Sequence, residues 1–297
     1  MLYHLGRLLI VLIQGLPLEW VARIGRAGGR LAWILDRRHR RVALANLEVV
    51  FSREKTPAEC KAIARENFCR LGENYLCAIK TASMSHEALR RHMEWVGLQD
   101  AIPAGVHSVV GVIGHFGNFE LYARIRDEMP GWTAATTYRA LRQPGLNRVF
   151  QAVRERSGTL FFERRTEGDQ LRQAMSRGRI LLALLSDQHA GDRGAWLPFM
   201  GIPCSSSTAC AVMALRYQAR LVPAICYRVG LARWRIEVGQ AIPTHHPDGT
   251  PRGIEEITLD ANIILEAAVR RDPANWFWVH RRWKPQSRHQ ADRLSPG

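Results

Sequence analysis

Acidic side chains are in short supply in this 297-residue chain: 27 Asp and Glu stand against 42 Lys and Arg, a net charge of +15. Nearly all of the surplus is arginine. A surface so basic points to polyanionic partners, whether nucleic acid, anionic lipid headgroups, phosphorylated substrates or an acidic carrier protein. Charge by itself does not choose among them. Cysteine is sparse and badly spaced for metal. Cys60, Cys69, Cys77, Cys204, Cys210 and Cys226 form no CxxC pair, and the first three share one helical stretch at spacings of nine and eight. That excludes a four-cysteine zinc site and reads as small buried hydrophobes of a reduced compartment. No internal repeat or low-complexity linker divides the chain, so a single large domain with a helical start is expected.

Long uninterrupted hydrophobic runs are missing too. The amino terminus, LLIVLIQGLPLEWVARIGRAGGRLAWIL, is strongly apolar, but Gly15, Pro17, Glu19 and Arg23 break it. The unbroken part is too short to span a bilayer as a simple helix. A small-residue cleavage site is absent, so a removable signal peptide is not expected. The segment that follows, DRRHRRVALANLEVVF, sets a dense basic cluster directly after the apolar stretch. Apolar helix followed by basic cluster suits residues 1–50 lying on, or dipping into, an anionic membrane face from the cytoplasmic side. The plainer alternative is a first helix packed on the domain.

What is present alternates between strand and helix patterns. Thr56-Pro57-Ala58-Glu59 predicts a capped helix start, and apolar positions at Phe68, Leu71, Tyr75, Leu76 and Ile79 carry that helix to about Lys80. A short helix near 85–92 and a strand near 94–97 lead to the apolar run SVVGVIG. Beyond it come a helix after Asn118, a strand near 133–138, a helix over about 144–156, the strand TLFF and a helix around 169–176. The buried strand RILLALLS, a loop, a helix over 207–217, strands RLVPAICYR and WRIEVG, and a helix near 251–270 complete the set. This order predicts an α/β domain over residues 51–285, with a mostly parallel central sheet and helices on both faces. Residues 286–297 read as a flexible tail.

The polar residues with chemical meaning fall just after strand ends. In GVIGHFGNFE, His115 follows the SVVGVIG strand and Glu120 sits five positions on, where a helix begins. The carboxyl ends of strands are where open α/β sheets bind ligands. Inside a helix, five residues of separation would splay the two side chains apart. With His115 on the turn and Glu120 in the first helical turn, the carboxylate can reach back and fix the imidazole as a base toward a hydroxyl. Gly114 and Gly117 permit the tight turn and a close substrate. An exposed His beside a helix-dipole Glu is the alternative reading. Tyr138-Arg139 and Asp187-Gln188 also follow strands, and Arg154 and Arg156 end the helix between them. HFGNFE holds no Ser or Cys, which points to direct chemistry without a covalent intermediate. No metal or cofactor is implied.

Four stretches together, GHFGNFE, YRALRQPGLNRVFQAVRERSG, LLSDQHAGDRGAWLPFMGIPCSSSTACAVMAL and WFWVHRRWK, resemble the bacterial lipid A acyltransferase family, in its order and spacing, from about residue 1 to 284. Phe119 stands where the family usually carries Trp or a similar bulky residue. The resemblance implies transfer of an acyl chain from a thioester, usually on acyl carrier protein, to a hydroxyl of a membrane glycolipid such as a lipid A precursor, at the inner membrane. Relatives use acyl-CoA or acylate other glycolipids and aminolipids. By resemblance His115 is the general base with Glu120 orienting it, while Arg139, Arg154 and Asp187 match the family's further functional positions. An Arg there suits a substrate phosphate or the thioester oxyanion, with Asp187 organising those cations. WFWVHRRWK mixes aromatic and basic residues as single-strand binders do. Its place in the family pattern favours a structural or headgroup role, and no nucleic acid partner is expected.

Overall fold

A computed structural model describes residues 2–140 and 143–285, without the side chains of 2–5, 146, 149 and 150. The tail expected at 286–297 lies outside the described residues. Helices α1 (Leu2–Gly15), α2 (Leu18–Leu35), α3 (Arg37–Phe51) and α4 (Pro57–Thr81) open the chain, followed by α5 (His86–Arg90), β1 (Met93–Val96) and α6 (Leu98–Ala101). Next come β2 (Ser108–Ile113), a 3-10 segment (Phe119–Asp127), β3 (Thr133–Tyr138), α7 (Pro144–Arg154), β4 (Leu160–Glu163), α8 (Gly168–Ser176) and β5 (Ile180–Leu185). The hairpin β6 (Ala195–Phe199) and β7 (Ile202–Ser206), α9 (Ala209–Arg216), β8 (Arg220–Gly230), β9 (Arg233–Val238) and α10 (Ile254–Arg271) follow.

The seven-stranded sheet runs β1-β9-β8-β2-β5-β3-β4, parallel throughout except where β9 turns back antiparallel on β8. Alternation along the central strands explains why their sequences are apolar at nearly every position. Val110, Val112, Leu182 and Leu184 enter one core with α3, α9 and α10, while Val109, Ile113, Leu181 and Ala183 enter another with α2 and the 3-10 segment. Both faces are covered, which is the usual condition of a parallel sheet. The helix expected after Asn118 is a 3-10 segment instead. The stretch expected to be a loop before α9 contains the β6–β7 hairpin, turning at Met200-Gly201.

The amino-terminal helices are fastened to the sheet body by close contact rather than by a tether. At the α2–α4 crossing Gly25 and Gly29 face Gly72, and a Cβ on Gly25 would stand 2.5 Å from the Gly72 carbonyl oxygen. Fully buried Glu73 accepts hydrogen bonds from Arg228 Nε and the Ala232 amide, both at 2.9 Å, and from Arg26 Nη1 at 3.3 Å. One carboxylate thus links α2, α4 and the β8–β9 turn. The α4 start is the capping box expected of Thr56 and Glu59. Among the described residues no helix is long and apolar enough to cross a membrane.

Candidate active site

Register decides which groups meet at the carboxyl edge of the sheet. Ile113 on β2 pairs with Leu185 on β5, so the residues two steps beyond, His115 and Asp187, come side by side. Asp187 Oδ1 stands 2.8 Å from His115 Nδ1, and Oδ2 accepts the His115 backbone N–H at 2.8 Å. The indole N–H of Trp276 donates to the same Oδ2 at 2.8 Å. Asp187 is 1% exposed. Burial alone would raise its pKa, but the neighbouring His115 and these donors outweigh it and hold the carboxyl below its ordinary value. An ionised carboxylate only accepts, so the His115 proton sits on Nδ1 and the lone pair on Nε2.

This geometry corrects two expectations. Glu120 does not reach back to His115; its carboxylate binds Arg154, with Nη2–Oε1 at 2.6 Å and Nε–Oε2 at 3.3 Å. Asp187 does not organise arginines; it orients the imidazole. The physical reason lies in the turn. Gly117 adopts φ +50° and a 3-10 segment begins at Phe119, while the adjacent strand already delivers a carboxylate to the imidazole. Gly117 suits its left-handed turn. At Gly114 the space a Cβ would need is taken by the Phe116 ring, 2.6 Å away, and by the Asp187 carboxyl carbon, 3.2 Å away, rather than by room for a substrate.

Arg154 is held from several sides. Glu120 takes one edge of its fork, and the faces of Phe161 and Tyr138 lie 5.2 and 5.9 Å from its guanidinium carbon. Arg139 is exposed beyond β3, near enough to Arg164 that its charge, after burial, helps lower that residue's pKa. It lines neither crevice described next.

Two crevices meet at Phe119 and Glu120. The larger, about 510 Å³ including its open mouth, runs under the 3-10 segment over a floor of Ala134, Ala135, Leu181 and Ala183, with Arg154 and Tyr138 also lining it. Small alanines on the strands are what leave this room. The smaller, about 280 Å³, lies against α4 and is lined by Leu71, Asn74, Tyr75, His115, Asn118 and Phe277. Phe119 and Phe277 flank the imidazole, with ring centroids 4.9 and 5.5 Å away.

The carboxyl-terminal motif WFWVHRRWK forms the wall behind these groups. Trp276 and Trp278 are fully buried, Asn67 donates to the carbonyls of Ala274 and Trp276, and Asn46 donates to those of Trp278 and His280. Arg282, 0% exposed, donates to Ser205 O and Ser206 Oγ and lies 4.9 Å from the Phe199 ring centroid. Its role in these contacts is structural. Sequence reasoning did not single out Trp276 or Gln188 for the site. The pointers were that both lie in stretches resembling the family and that Gln188 adjoins an acid at a strand end.

Comparison with known proteins agrees with the residues. The profile of the family described as bacterial lipid A biosynthesis acyltransferase matches residues 1–285. The lipid A biosynthesis palmitoleoyltransferase of Escherichia coli (strain K12) is 24% identical over 279 residues, covering 91% of this chain and 86% of that one. The lipid A biosynthesis acyltransferase of Shigella flexneri matches at the same 24% over the same shares. With a polarised histidine at the sheet edge and the profile spanning nearly the whole chain, this protein belongs to the bacterial lipid A biosynthesis acyltransferase family and is an acyltransferase.

Proposed function

We propose that this protein is a membrane-associated O-acyltransferase that moves a fatty acyl chain from an acyl carrier protein thioester to a hydroxyl of a lipid A precursor. The observation that carries the reading is the His115–Asp187 pair beside an apolar crevice. The acyl chain lies in the larger crevice, with its thioester toward Phe119 and Arg154. The acceptor hydroxyl gives its proton to His115 Nε2 as its oxygen bonds to the thioester carbonyl carbon. Asp187 keeps the tautomer and stabilises the imidazolium. The carbon–sulfur bond breaks, and the thiolate leaves with the proton that His115 returns. Arg154, steadied by Glu120, faces the charge that develops on the carbonyl oxygen or on a substrate phosphate. The cysteines do not compete as nucleophiles: all six are buried, and burial pushes the Cys210 and Cys226 thiols above their ordinary pKa.

Membrane association is supported by where exposed apolar side chains collect. Leu8, Leu9, Val11 and Leu12 on α1, and Trp20, Ile24, Leu31, Ile34 and Leu35 on α2, all face outward. Arg37, Arg38, Arg40 and Arg41 follow on α3. This combination suits an amphipathic surface on anionic lipid. Helix α1 packs on α7, and Arg156 donates to Gln14 at 3.1 Å, so the apolar face lies beside the helix that carries Arg154. A lipid acceptor would approach from that side. The net charge of +15 would draw an acidic carrier protein as well.

The test is lipid A mass spectrometry from a host lacking its own secondary acyltransferase. Expression of the native chain adds one acyl group, and His115→Ala adds none. In the same cells, Leu8→Glu combined with Leu12→Glu moves the protein out of the membrane pellet. No gain with the native chain, when it is present in the membrane fraction, would overturn the lipid A acceptor.

A further inference from the structure

His115 keeps one nitrogen for chemistry, and that nitrogen already has company. With Nδ1–H committed to Asp187, the lone pair lies on Nε2, and the Gln188 side-chain nitrogen stands 3.3 Å from it. An amide N–H donates to a bare ring nitrogen, whereas the carbonyl end would set oxygen against the lone pair. The amide nitrogen therefore faces the base. Phe119 and Phe277 cover the flanks of the ring, so the Nε2 edge is where a hydroxyl must arrive. Gln188 occupies that approach.

Its backbone is fixed on both sides while its side chain is lightly held. Asp187, before it, is pinned by three donors. The His189 amide, after it, donates to His280 Nε2 at 3.0 Å. Burial lowers the His280 pKa from its ordinary value to about 4, so that nitrogen stays an acceptor at neutral pH. The Gln188 side chain itself is partly exposed and, among the described residues, rests on His115 through one long hydrogen bond. A group built this way stays in place and yields to a competitor.

We propose that Gln188 guards the base: it caps Nε2 until an acceptor hydroxyl displaces it, and so sets the preference for transfer over hydrolysis. The inference rests on the acyltransferase reading above. Without the cap, water gives a proton to Nε2 while its oxygen attacks the thioester carbonyl. The carbon–sulfur bond breaks, fatty acid is released, and the thiolate takes the proton from His115. A water molecule must displace the amide unaided. A hydroxyl on a bound lipid does so with the binding energy and alignment of the whole molecule behind it. Gln188 is thus a specificity-determining residue that acts through His115.

The experiment uses the full chain in detergent, a lauroyl thioester of acyl carrier protein as donor and a lipid A precursor as acceptor. Free fatty acid release and lipid acylation are measured in one assay. In Gln188→Ala the ratio of hydrolysis to transfer rises about fivefold, the weight of one ordinary hydrogen bond. Gln188→Asn, one methylene too short to reach, shows the same rise and serves if the alanine variant is unstable. His115→Ala loses both reactions. An unchanged ratio in the variants, or an equal fall in both rates, overturns the guard while leaving the transferase in place. Absence of transfer by the native enzyme overturns the acyltransferase reading itself.

Discussion

One imidazole nitrogen takes one carboxylate, and at His115 that carboxylate is Asp187. Replacing Asp187 by Asn keeps its shape but turns either an amide N–H or a neutral carbonyl toward Nδ1, so the tautomer is no longer imposed. We expect Asp187→Asn to lower kcat by roughly 10²- to 10⁴-fold, the range of a general base that loses its orientation. Glu120→Gln leaves His115 paired but loosens Arg154, so its loss is the smaller of the two, falling on kcat where Arg154 meets the oxyanion and on KM where it meets a substrate phosphate. Steady-state kinetics of the two variants decide between them. A mild Asp187→Asn with a severe kcat loss in Glu120→Gln would mean that Glu120 turns to His115 in the working complex. Both carboxylates were legible as candidates, since Asp187 ends a strand and Glu120 opens the segment that follows a strand and its turn. Which one meets the histidine depends on strand adjacency, a non-local property that periodicity along one strand does not carry.

At the scale of elements, two features were hidden by composition. The GRAGG stretch of α2 looks like a weak point for a helix, because glycine lacks helix propensity. The structure uses Gly25 and Gly29 to let α2 and α4 touch backbone to backbone, with a Cβ on Gly29 running into the Phe68 carbonyl oxygen. Its neighbour Gly28 faces open space. Gly29→Ala should therefore destabilise the fold by about 1–3 kcal/mol through overpacking. Gly28→Ala should stabilise it by up to about 1 kcal/mol through helix propensity. Thermal unfolding reads both, and shifts of the same sign would refute the close crossing. The second feature is WFWVHRRWK, whose aromatic and basic mixture taken alone suggests an exposed binding surface, although its place in the family pattern favoured a structural or headgroup role. It is instead an inner wall: Asn46 and Asn67 on α3 and α4 take up its carbonyls, and Trp276 supports Asp187. Those partners lie some two hundred residues away, beyond any local pattern.

For the molecule as a whole, acid sensitivity follows from half-buried histidines whose charged form is disfavoured. Burial, with Lys284 and Arg282 nearby and only partly opposed by Asp187, brings His280 to about 4, and burial also lowers His189. In the unfolded chain a histidine titrates near 6.5. Between about 6.5 and 4 the unfolded state therefore binds more protons than the folded one, and stability falls as pH falls through that window. The Tm should drop between pH 7 and pH 5, and His280→Gln, whose side-chain oxygen can still accept the His189 N–H, should flatten that slope. Equal slopes for native and variant protein would rule out His280 as a source. Asp187, held below its ordinary pKa, adds its own loss only in the more acidic range as its carboxylate is protonated.

Some of this was settled by local pattern alone. Alternating apolar runs and helical periodicities specified an α/β sheet, because backbone hydrogen bonding and one-sided burial leave few other arrangements. Strand ends specified that His115, Arg139 and Asp187 would lie toward one edge, and interrupted hydrophobicity left no unbroken apolar run at the amino terminus long enough for a simple spanning helix. Tertiary structure decided the rest. It placed β5 beside β2, sent Glu120 to Arg154, and left Arg139 outside the crevices. It also folded Ala195–Ser206 into a hairpin where a loop was expected. Each of these turns on which distant segments become neighbours, and that is fixed by packing two buried faces at once rather than by any stretch of residues read singly.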